Sequence, residues 1–182
     1  MSYKSIEQSI RKYIPDAVID LVNVEKLKKE LLFVSTKPNI YSLKVFDEFS
    51  GLDQVAEIRY SINGSSVYIS SFVVNEEYQQ KGIGKMLFEY ALAHGDCMGA
   101  SRIYGTASPT DPFKGVSSKD DSEYTYDKEV ITLKAIYKKL GCRFIDNENF
   151  MYTWEQNKKM DKVNPKIKNM IEKCVERDAS TM

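Results

Sequence analysis

The sequence predicts an α/β fold in which helices pack on a mixed central sheet, and two observations lead to this prediction. The two-residue alternation of strands dominates residues 41–74, and from there strand and helix patterns alternate to residue 154. A run of strands followed by strand–helix–strand units is typical of a layered α/β domain. At 182 residues the chain suits one domain with a full core. We therefore expect a single domain over residues 1–155 and a lysine-rich helical tail over 156–182.

The N-terminal part of the chain has helical spacing. Ile6, Ile10 and Ile14 recur once per turn until Pro15 interrupts the pattern. The stretch Val24–Phe33 then places leucines on one side and lysines opposite. These patterns predict N-terminal helices over about residues 1–35.

The next segments have strand patterns. Tyr41–Phe46 and Gln54–Tyr60 alternate, and Asn63-Gly64 predicts a hairpin because Asn-Gly suits the positive φ angles of tight turns. The returning strand, Val67–Val74, is β-branched or aromatic at most positions, which is typical of a strand buried on both faces.

The second half begins with a glycine-rich turn and a helix at Gly84–His94. This helix has an apolar stripe made of Ile83, Leu87, Tyr90, Ala91 and His94. Four further elements are predicted in order: a strand at Arg102–Ser108, a long polar loop at Pro109–Asp127, a helix at Val130–Leu140 capped by Gly141, and a hairpin of Arg143–Ile145 with Phe150–Trp154.

Composition excludes several classes of function. Lysine plus arginine and aspartate plus glutamate number 26 each, so net charge gives no reason to expect nucleic-acid binding. Three widely spaced cysteines and one histidine predict neither a disulfide framework nor a metal site. The N-terminus lacks a signal-peptide pattern, and no window is apolar enough to span a bilayer. We expect a cytoplasmic protein without a membrane partner, either a monomer or a homodimer.

The segment before the Gly84 helix has the features of a phosphate site. Two glycines, Gly82 and Gly84, let the backbone approach a ligand, and a helix N-terminus favours a phosphate or pyrophosphate. The spacing excludes a P-loop, since Gln79 stands where its first glycine belongs and Met86 replaces its hydroxyl. It also excludes a dinucleotide fingerprint, whose third small residue is replaced by Leu87.

The remaining pattern resembles the GNAT superfamily of N-acetyltransferases. The family's pyrophosphate loop, Gln/Arg-x-x-Gly-x-Gly/Ala, is matched by Gln79, Gly82 and Gly84. A second segment, Ala135–Phe144, is similar to the family's Leu-Tyr-x-x-x-Gly-Phe, with Tyr137 among the matching residues. The resemblance covers about residues 43–154. The asparagine that the family often has two turns before the tyrosine is absent.

The resemblance implies a mixed, mostly antiparallel sheet that splays open at the cofactor strand, with acetyl-CoA bound in the gap as the acyl donor and no metal. Backbone groups of the strand would contact the pantetheine arm, and backbone amides of the loop would hold the pyrophosphate. The expected cofactor-binding residues are Phe72, Val73, Val74, Gln79, Gln80, Lys81, Gly82, Ile83, Gly84 and Lys85.

Tyr137 is the expected general acid, because a phenol with a pKa of about 10 can protonate the departing thiolate. The alternative is a tyrosine that only packs on an amphipathic helix. Glu57 is a tentative base, against the alternative of a solvent-facing strand residue, and Ser70 or Ser71 could instead relay a proton through water. His94 is expected to pack or cap. Cys142 has no base partner, which argues against an acyl-cysteine intermediate.

Two functions follow from this site. The first is direct transfer of an acetyl group from acetyl-CoA to a primary amine of a small molecule or peptide. The second is a non-catalytic acyl-CoA-binding sensor or partner-docking module. Acidic residues in the predicted loop either favour a cationic acceptor or only form a solvated surface. They are Asp111, Asp120, Asp121, Glu123 and Asp127.

Overall fold

A computed structural model describes residues 18–24, 29–37, 39–46, 54–108 and 122–153, and the helical residues 169, 172, 173 and 176. The strands are β1 (Val18–Val24), β2 (Lys29–Lys37), β3 (Ile40–Phe46), β4 (Gln54–Asn63), β5 (Ser66–Val74), β6 (Arg102–Thr106), β7 (Arg143–Phe144) and β8 (Asn149–Thr153). A 3₁₀ turn spans Glu76–Tyr78, and the helices are α1 (Ile83–Cys97) and α2 (Ser122–Lys139).

The strands form one eight-stranded sheet in the order β1-β2-β3-β4-β5-β6-β8-β7. Every neighbouring pair is antiparallel except β5 with β6, which run parallel and are joined through α1. The prediction of a mixed, mostly antiparallel sheet with flanking helices is therefore confirmed.

The predicted N-terminal helices are wrong from residue 18 onward. Val18–Val24 and Lys29–Lys37 are antiparallel strands, and β2 pairs with β1 on one side and β3 on the other. Leu31 and Phe33, two positions apart, are both fully buried, as strand alternation requires. Pairing on both edges therefore outweighs the helical spacing of the leucines. The predicted helix around Ile6–Ile14 lies outside the described residues.

The predicted hairpin is confirmed. Asn63 pairs with Ser66, and Gly64, in the connecting turn, has a φ of +55°. The returning strand β5 is not buried on both faces, however, because Tyr68 and Ser70 are exposed. Helix α1 covers the other face of the strand, where Val67 and Ile69 are buried.

Helix α1 packs on the centre of the sheet. The five residues of its predicted stripe are all buried, and they face the alternating buried positions of β4. One cluster of buried hydrophobic residues runs from β2 through this interface to β8. This shared face of the sheet and α1 is called the core face below.

The C-terminal elements are close to their predicted positions. Helix α2 begins at Ser122, so the last six residues of the predicted loop are helical, and residues 109–121 lie outside the described part. Gly141, with a φ of +90°, ends the helix: its N–H bonds to the Lys138 carbonyl and that of Cys142 to the Tyr137 carbonyl. The β7–β8 turn is held by Asp146, whose pKa is lowered to about 2 by hydrogen bonds from the Asn149 side chain and nearby backbone N–H groups. Of the predicted tail, only four helical residues are described.

Candidate active site

The two parallel strands in the middle of the sheet separate. β5 pairs with β6 only from Ser66 to Ile69, yet β5 continues to Val74. A β-bulge at Ser70, opposite Arg59 and Tyr60, marks the start of the separation. From Ser70 onward the β5 edge facing β6 has no strand partner among the described residues, as the predicted splay requires. Such an edge can accept an extended ligand through backbone hydrogen bonds.

The loop after β5 is held in an irregular conformation. Gln79 donates a side-chain hydrogen bond from Nε2 to the Val74 carbonyl at 3.1 Å, which fastens the loop to the end of the strand. Gln80 has a φ of +59°, unusual for a residue with a side chain, and Gly82 has a φ of +83°. Loops with residues of left-handed conformation turn successive N–H groups toward one side, where they bind anions.

The start of α1 is an uncapped helix N-terminus. Gly82 is its N-cap and supplies no side-chain hydrogen bond, and the first N–H groups of a helix have no acceptor within it. Together with the helix dipole, these groups form a site for an anion. The residues present therefore fit the pyrophosphate of a CoA ligand.

The two glycines of the loop have different roles. A Cβ on Gly82 would meet nothing within 4 Å, so this position needs glycine for its left-handed backbone. A Cβ on Gly84 would lie 3.4 Å from the side chains of both Phe72 and Val74. Gly84 is therefore the point where helix α1 lies closest to the free end of β5.

The two loop lysines differ in their partners. Lys85 lies 3.7 Å from Glu89 and shares its charge with that carboxylate. The ammonium of Lys81 lies 5.1 Å from the centre of the Tyr78 ring and has no ion pair within the described residues. Lys81 is therefore the freer of the two to meet a phosphate.

Tyr137 lies beside the separation of the strands. Its ring is 5% exposed, stacks on Phe150 at 3.8 Å between centroids, and meets Phe72 and Phe88 edge-on at 6.1 and 6.4 Å. Burial, with a smaller contribution from Cys142, raises the pKa of Tyr137 above its ordinary value, so the phenol stays protonated at physiological pH. The aromatic group of Phe72, Phe88, Tyr137 and Phe150 is called the tyrosine cluster below.

The hydroxyl of Tyr137 has no hydrogen-bond partner within the described residues. Its raised pKa keeps it protonated. The structure thus supplies a ring whose position is explained by packing, and a protonated hydroxyl with no partner among the described residues.

Glu57 lies on the same face of β4 as Arg59, where neighbouring side chains cover most of it. Its side chain is 12% exposed, and its Oε1 accepts hydrogen bonds from Ser42 Oγ at 2.7 Å and Arg59 Nη2 at 3.0 Å, with Lys44 Nζ at 3.8 Å. Burial raises the pKa of Glu57, but the Ser42 hydrogen bond and the two cations outweigh it and hold the pKa below its ordinary value. A carboxylate stabilised in this way is a weak base.

His94 and Cys142 have the structural roles that the sequence predicted. His94 is fully buried, its Nδ1 lies 2.8 Å from the Tyr60 hydroxyl, and burial lowers its pKa to about 3. Burial also raises the pKa of the Cys142 thiol to about 12, so it is not a thiolate nucleophile.

Two residues of the site, Phe150 and Gly105, have no signal in the sequence, because each takes its role from a partner distant along the chain. A Cβ on Gly105 would lie 2.8 Å from the Phe150 ring, so this glycine leaves the space in which Phe150 stacks on Tyr137. A repeating pattern along one segment does not reveal such a pair.

The described residues contain no group of three or more potential metal ligands. None of the helices in this part of the chain has the length and apolar character needed to cross a bilayer.

Part of the chain matches a known family. Residues 34–112 match the family model described as the acetyltransferase (GNAT) family. The resemblance to the GNAT superfamily is confirmed. Among curated protein sequences none matches the chain.

Several solved structures are similar to this one at low sequence identity. A cAMP-binding acyltransferase from Mycobacterium smegmatis is 13% identical, with a TM-score of 0.54 over 98% of this chain and 59% of that one. An aminoglycoside 6'-N-acetyltransferase complexed with coenzyme A is 19% identical, with a TM-score of 0.46 over 64% and 74% of the two chains. The corresponding enzyme from Enterococcus faecium is 18% identical, with a TM-score of 0.45 over 64% and 74%.

Proposed function

We propose that this GNAT protein is an N-acetyltransferase that transfers an acetyl group from acetyl-CoA directly to a primary amine. The observation that carries the proposal is that the required parts of the site lie close together. The start of α1, at Gly84, and the ring of Tyr137 both lie against Phe72, on the part of β5 that has separated from β6. The separated part of β5, the start of α1 and Tyr137 each match one part of a thioester-linked CoA: the pantetheine arm, the pyrophosphate and the sulfur.

The proposed binding follows from these elements. The backbone of Phe72, Val73 and Val74 would hold the pantetheine arm as an added strand. Backbone N–H groups from Gln79 to Lys85, with the Lys81 ammonium at the rim, would hold the pyrophosphate. Bound acetyl-CoA supplies an acyl group activated as a thioester.

The proposed chemistry needs one proton donor. Tyr137 holds a proton at Oη beside Phe72 and donates it as the carbon–sulfur bond breaks. The raised pKa of this phenol keeps the donor loaded at neutral pH. Because Glu57 is tied up in hydrogen bonds and ion pairs, we assign loss of the amine proton to water near the hydroxyls of Ser70 and Ser71.

One observation favours the second candidate, an acyl-CoA-binding sensor or docking module. The Tyr137 ring stacks on Phe150 at 3.8 Å, so packing alone accounts for an aromatic side chain here. A sensor would keep the glycines and the free strand edge but would not need the hydroxyl. A cytoplasmic location, and no nucleic-acid or membrane partner, stay predictions from composition.

The test begins with cofactor binding. CoA should raise the thermal stability of the wild-type protein, by about 2.7 kcal/mol at a concentration 100 times its dissociation constant. Gly82→Val should abolish the shift, because a β-branched side chain is strained at this φ. Gly84→Val should weaken it by pushing α1 away from Phe72.

Gly99 is a matched control at the other end of α1. It also has a left-handed φ, +77°, and open space around its Cβ position. Gly99→Val should carry a similar backbone strain and yet keep the CoA shift. If Gly82→Val and Gly99→Val both lose the CoA shift, or both keep it, the loop does not bind the pyrophosphate as proposed. Acetyl transfer to a panel of primary amines then separates the enzyme from the sensor.

A further inference from the structure

We propose that Arg59, held in place by Glu57, binds a carboxylate on the acceptor, so that the acceptor is a small amine bearing a carboxylate, as a free amino acid does. This inference rests on the proposed function. It makes Arg59 a determinant of acceptor specificity and Glu57 a positioning residue.

The first step is the direction from which an acceptor can reach the site. On the core face, the separation of the strands is covered by α1, where Gly84 approaches Phe72, and by α2, where Tyr137 contacts Phe72. Ser70, where the separation begins, is exposed on the opposite face of the sheet. An amine from solvent that attacks an acyl group held along the free edge of β5 would approach on that face.

Arg59 lies on this opposite face. It alternates with the core residues Ile58 and Tyr60, and it pairs in register with Ser71, one residue before Phe72. Its side chain is 51% exposed. The guanidinium is therefore the exposed cation closest in register to the point where the acyl group would lie.

Among the described residues, the ion pairs of Glu57 leave an excess of one positive charge. Lys44 and Arg59 share a single carboxylate, which also accepts the Ser42 hydrogen bond. Arg59 uses only Nη2 in its contact with Glu57, so donors of its planar fork remain available. A guanidinium fork pairs best with a planar carboxylate, and one excess charge matches a monoanion.

Two exposed tyrosines lie on the same face, where β5 and β6 are still paired. Tyr68 and Tyr104 are cross-strand partners with ring centroids 5.2 Å apart, and they are 38% and 39% exposed. Ser61, the β4 partner of Tyr68, is two positions from Arg59. The rings thus offer an apolar surface beside the cation, suited to the side chain of an aromatic amino acid.

The test uses tyrosine and tyramine, which differ by one carboxylate, with acetyl-CoA saturating. For the wild type we expect kcat/KM to be roughly 10–100-fold higher for tyrosine, the range for a charge-assisted hydrogen bond. The α-amine of tyrosine is also less basic than the amine of tyramine. The wild-type ratio of kcat/KM for the two substrates therefore does not by itself test the role of Arg59. Arg59→Ala should remove the advantage by lowering kcat/KM for tyrosine while leaving tyramine unchanged.

Arg102 supplies the matched control. It is an exposed arginine on the same face, bound to Ser66 at 2.8 Å and further from the separation of the strands. Arg102→Ala should leave both substrates unaffected. Glu57→Gln should raise KM for tyrosine without shifting the pH profile of kcat, whereas loss of a general base would lower kcat for both amines.

The outcomes separate the two proposals. If CoA stabilises the protein but Arg59→Ala affects tyrosine and tyramine equally, the carboxylate site is wrong and the acetyltransferase proposal stands. If neither amine is acetylated, extra thermal stabilisation by tyrosine over tyramine in the CoA complex is the second readout, and its absence overturns the site. If CoA itself does not bind, both proposals fail.

Discussion

Two aromatic clusters at the two ends of α1 are built alike and behave differently. The histidine cluster consists of Phe33, Tyr41, Tyr60 and His94, and it packs the later part of α1 on the continuous part of the sheet. The tyrosine cluster packs on the sheet where β5 and β6 separate. Each surrounds one titratable side chain with aromatic rings.

The difference lies in the polar tip of that side chain. In the histidine cluster, His94 Nδ1 and the Tyr60 hydroxyl satisfy each other at 2.8 Å, while Nε2 is buried without a hydrogen-bond partner among the described residues. In the tyrosine cluster, the Tyr137 hydroxyl has no hydrogen-bond partner among the described residues. Burial keeps both groups neutral, since it lowers the pKa of His94 to about 3 and raises that of Tyr137. Similar aromatic packing therefore gives a hydrogen-bonded His94–Tyr60 pair where the sheet is continuous, and a protonated Tyr137 hydroxyl, unpaired within the described part of the chain, where β5 and β6 separate.

The largest expected effect tests the availability of that proton. Tyr137→Phe keeps the stacking on Phe150 and removes only the hydroxyl, so it should lower kcat by roughly 10²–10⁴-fold, the range for general acid–base catalysis, with little change in CoA affinity. The measurement is kcat at saturating acetyl-CoA with an identified acceptor, together with the CoA thermal shift. Full activity in this variant would remove Tyr137 from the mechanism and favour the sensor.

The next prediction concerns the His94–Tyr60 pair and the dependence of protein stability on pH. His94 has a folded-state pKa of about 3, below its ordinary 6.5, so the unfolded chain binds the proton more readily. The contribution of neutral His94 to the free energy of unfolding is therefore fully present above pH 6.5, and it is lost as the pH falls toward 3. Between pH 7.5 and 5 the free energy of unfolding should fall by about 2 kcal/mol from this residue.

Urea unfolding at several pH values measures this slope, and His94→Gln is its control. The variant should be less stable at pH 7.5 but should lose much less stability on acidification. Staying at or above pH 5 limits the contribution of Glu57 and Asp146, whose lowered pKa values act in the same direction at lower pH. An unchanged slope in the variant would show that His94 does not titrate as the structure requires.

The smallest effect compares hydroxyl removal in the two clusters. Tyr60→Phe deletes the partner of His94 Nδ1 and should cost about 1 kcal/mol of unfolding free energy, as for a typical buried hydrogen bond. Its kcat should stay at the wild-type value, the reverse of Tyr137→Phe. Equilibrium unfolding and steady-state rates of the two variants, measured side by side, provide the comparison. A kinetic defect in Tyr60→Phe would contradict the division of roles.

Several features follow from the sequence because their causes are local. The Asn63-Gly64 hairpin, the apolar stripe of α1, the cap at Gly141 and the loop with Gly82 and Gly84 are all present as predicted. Each depends on the backbone preferences or side-chain spacing of a few neighbouring residues. The phosphate-binding character of the loop is of this kind, since it needs only a helix start and residues of suitable φ.

Other features were decided by partners far along the chain. The leucine spacing up to Phe33 predicts a helix, but pairing with β1 and β3 makes Lys29–Lys37 a strand. The carboxylate of Glu57 accepts a hydrogen bond from Ser42, 15 residues earlier, in addition to that from its near neighbour Arg59. The separation of β5 from β6, and the stacking of Tyr137 on Phe150, likewise exist only in the folded sheet. Local sterics and hydrogen bonding act within a few residues, whereas strand pairing, burial and the pKa shifts they cause depend on which distant segments meet.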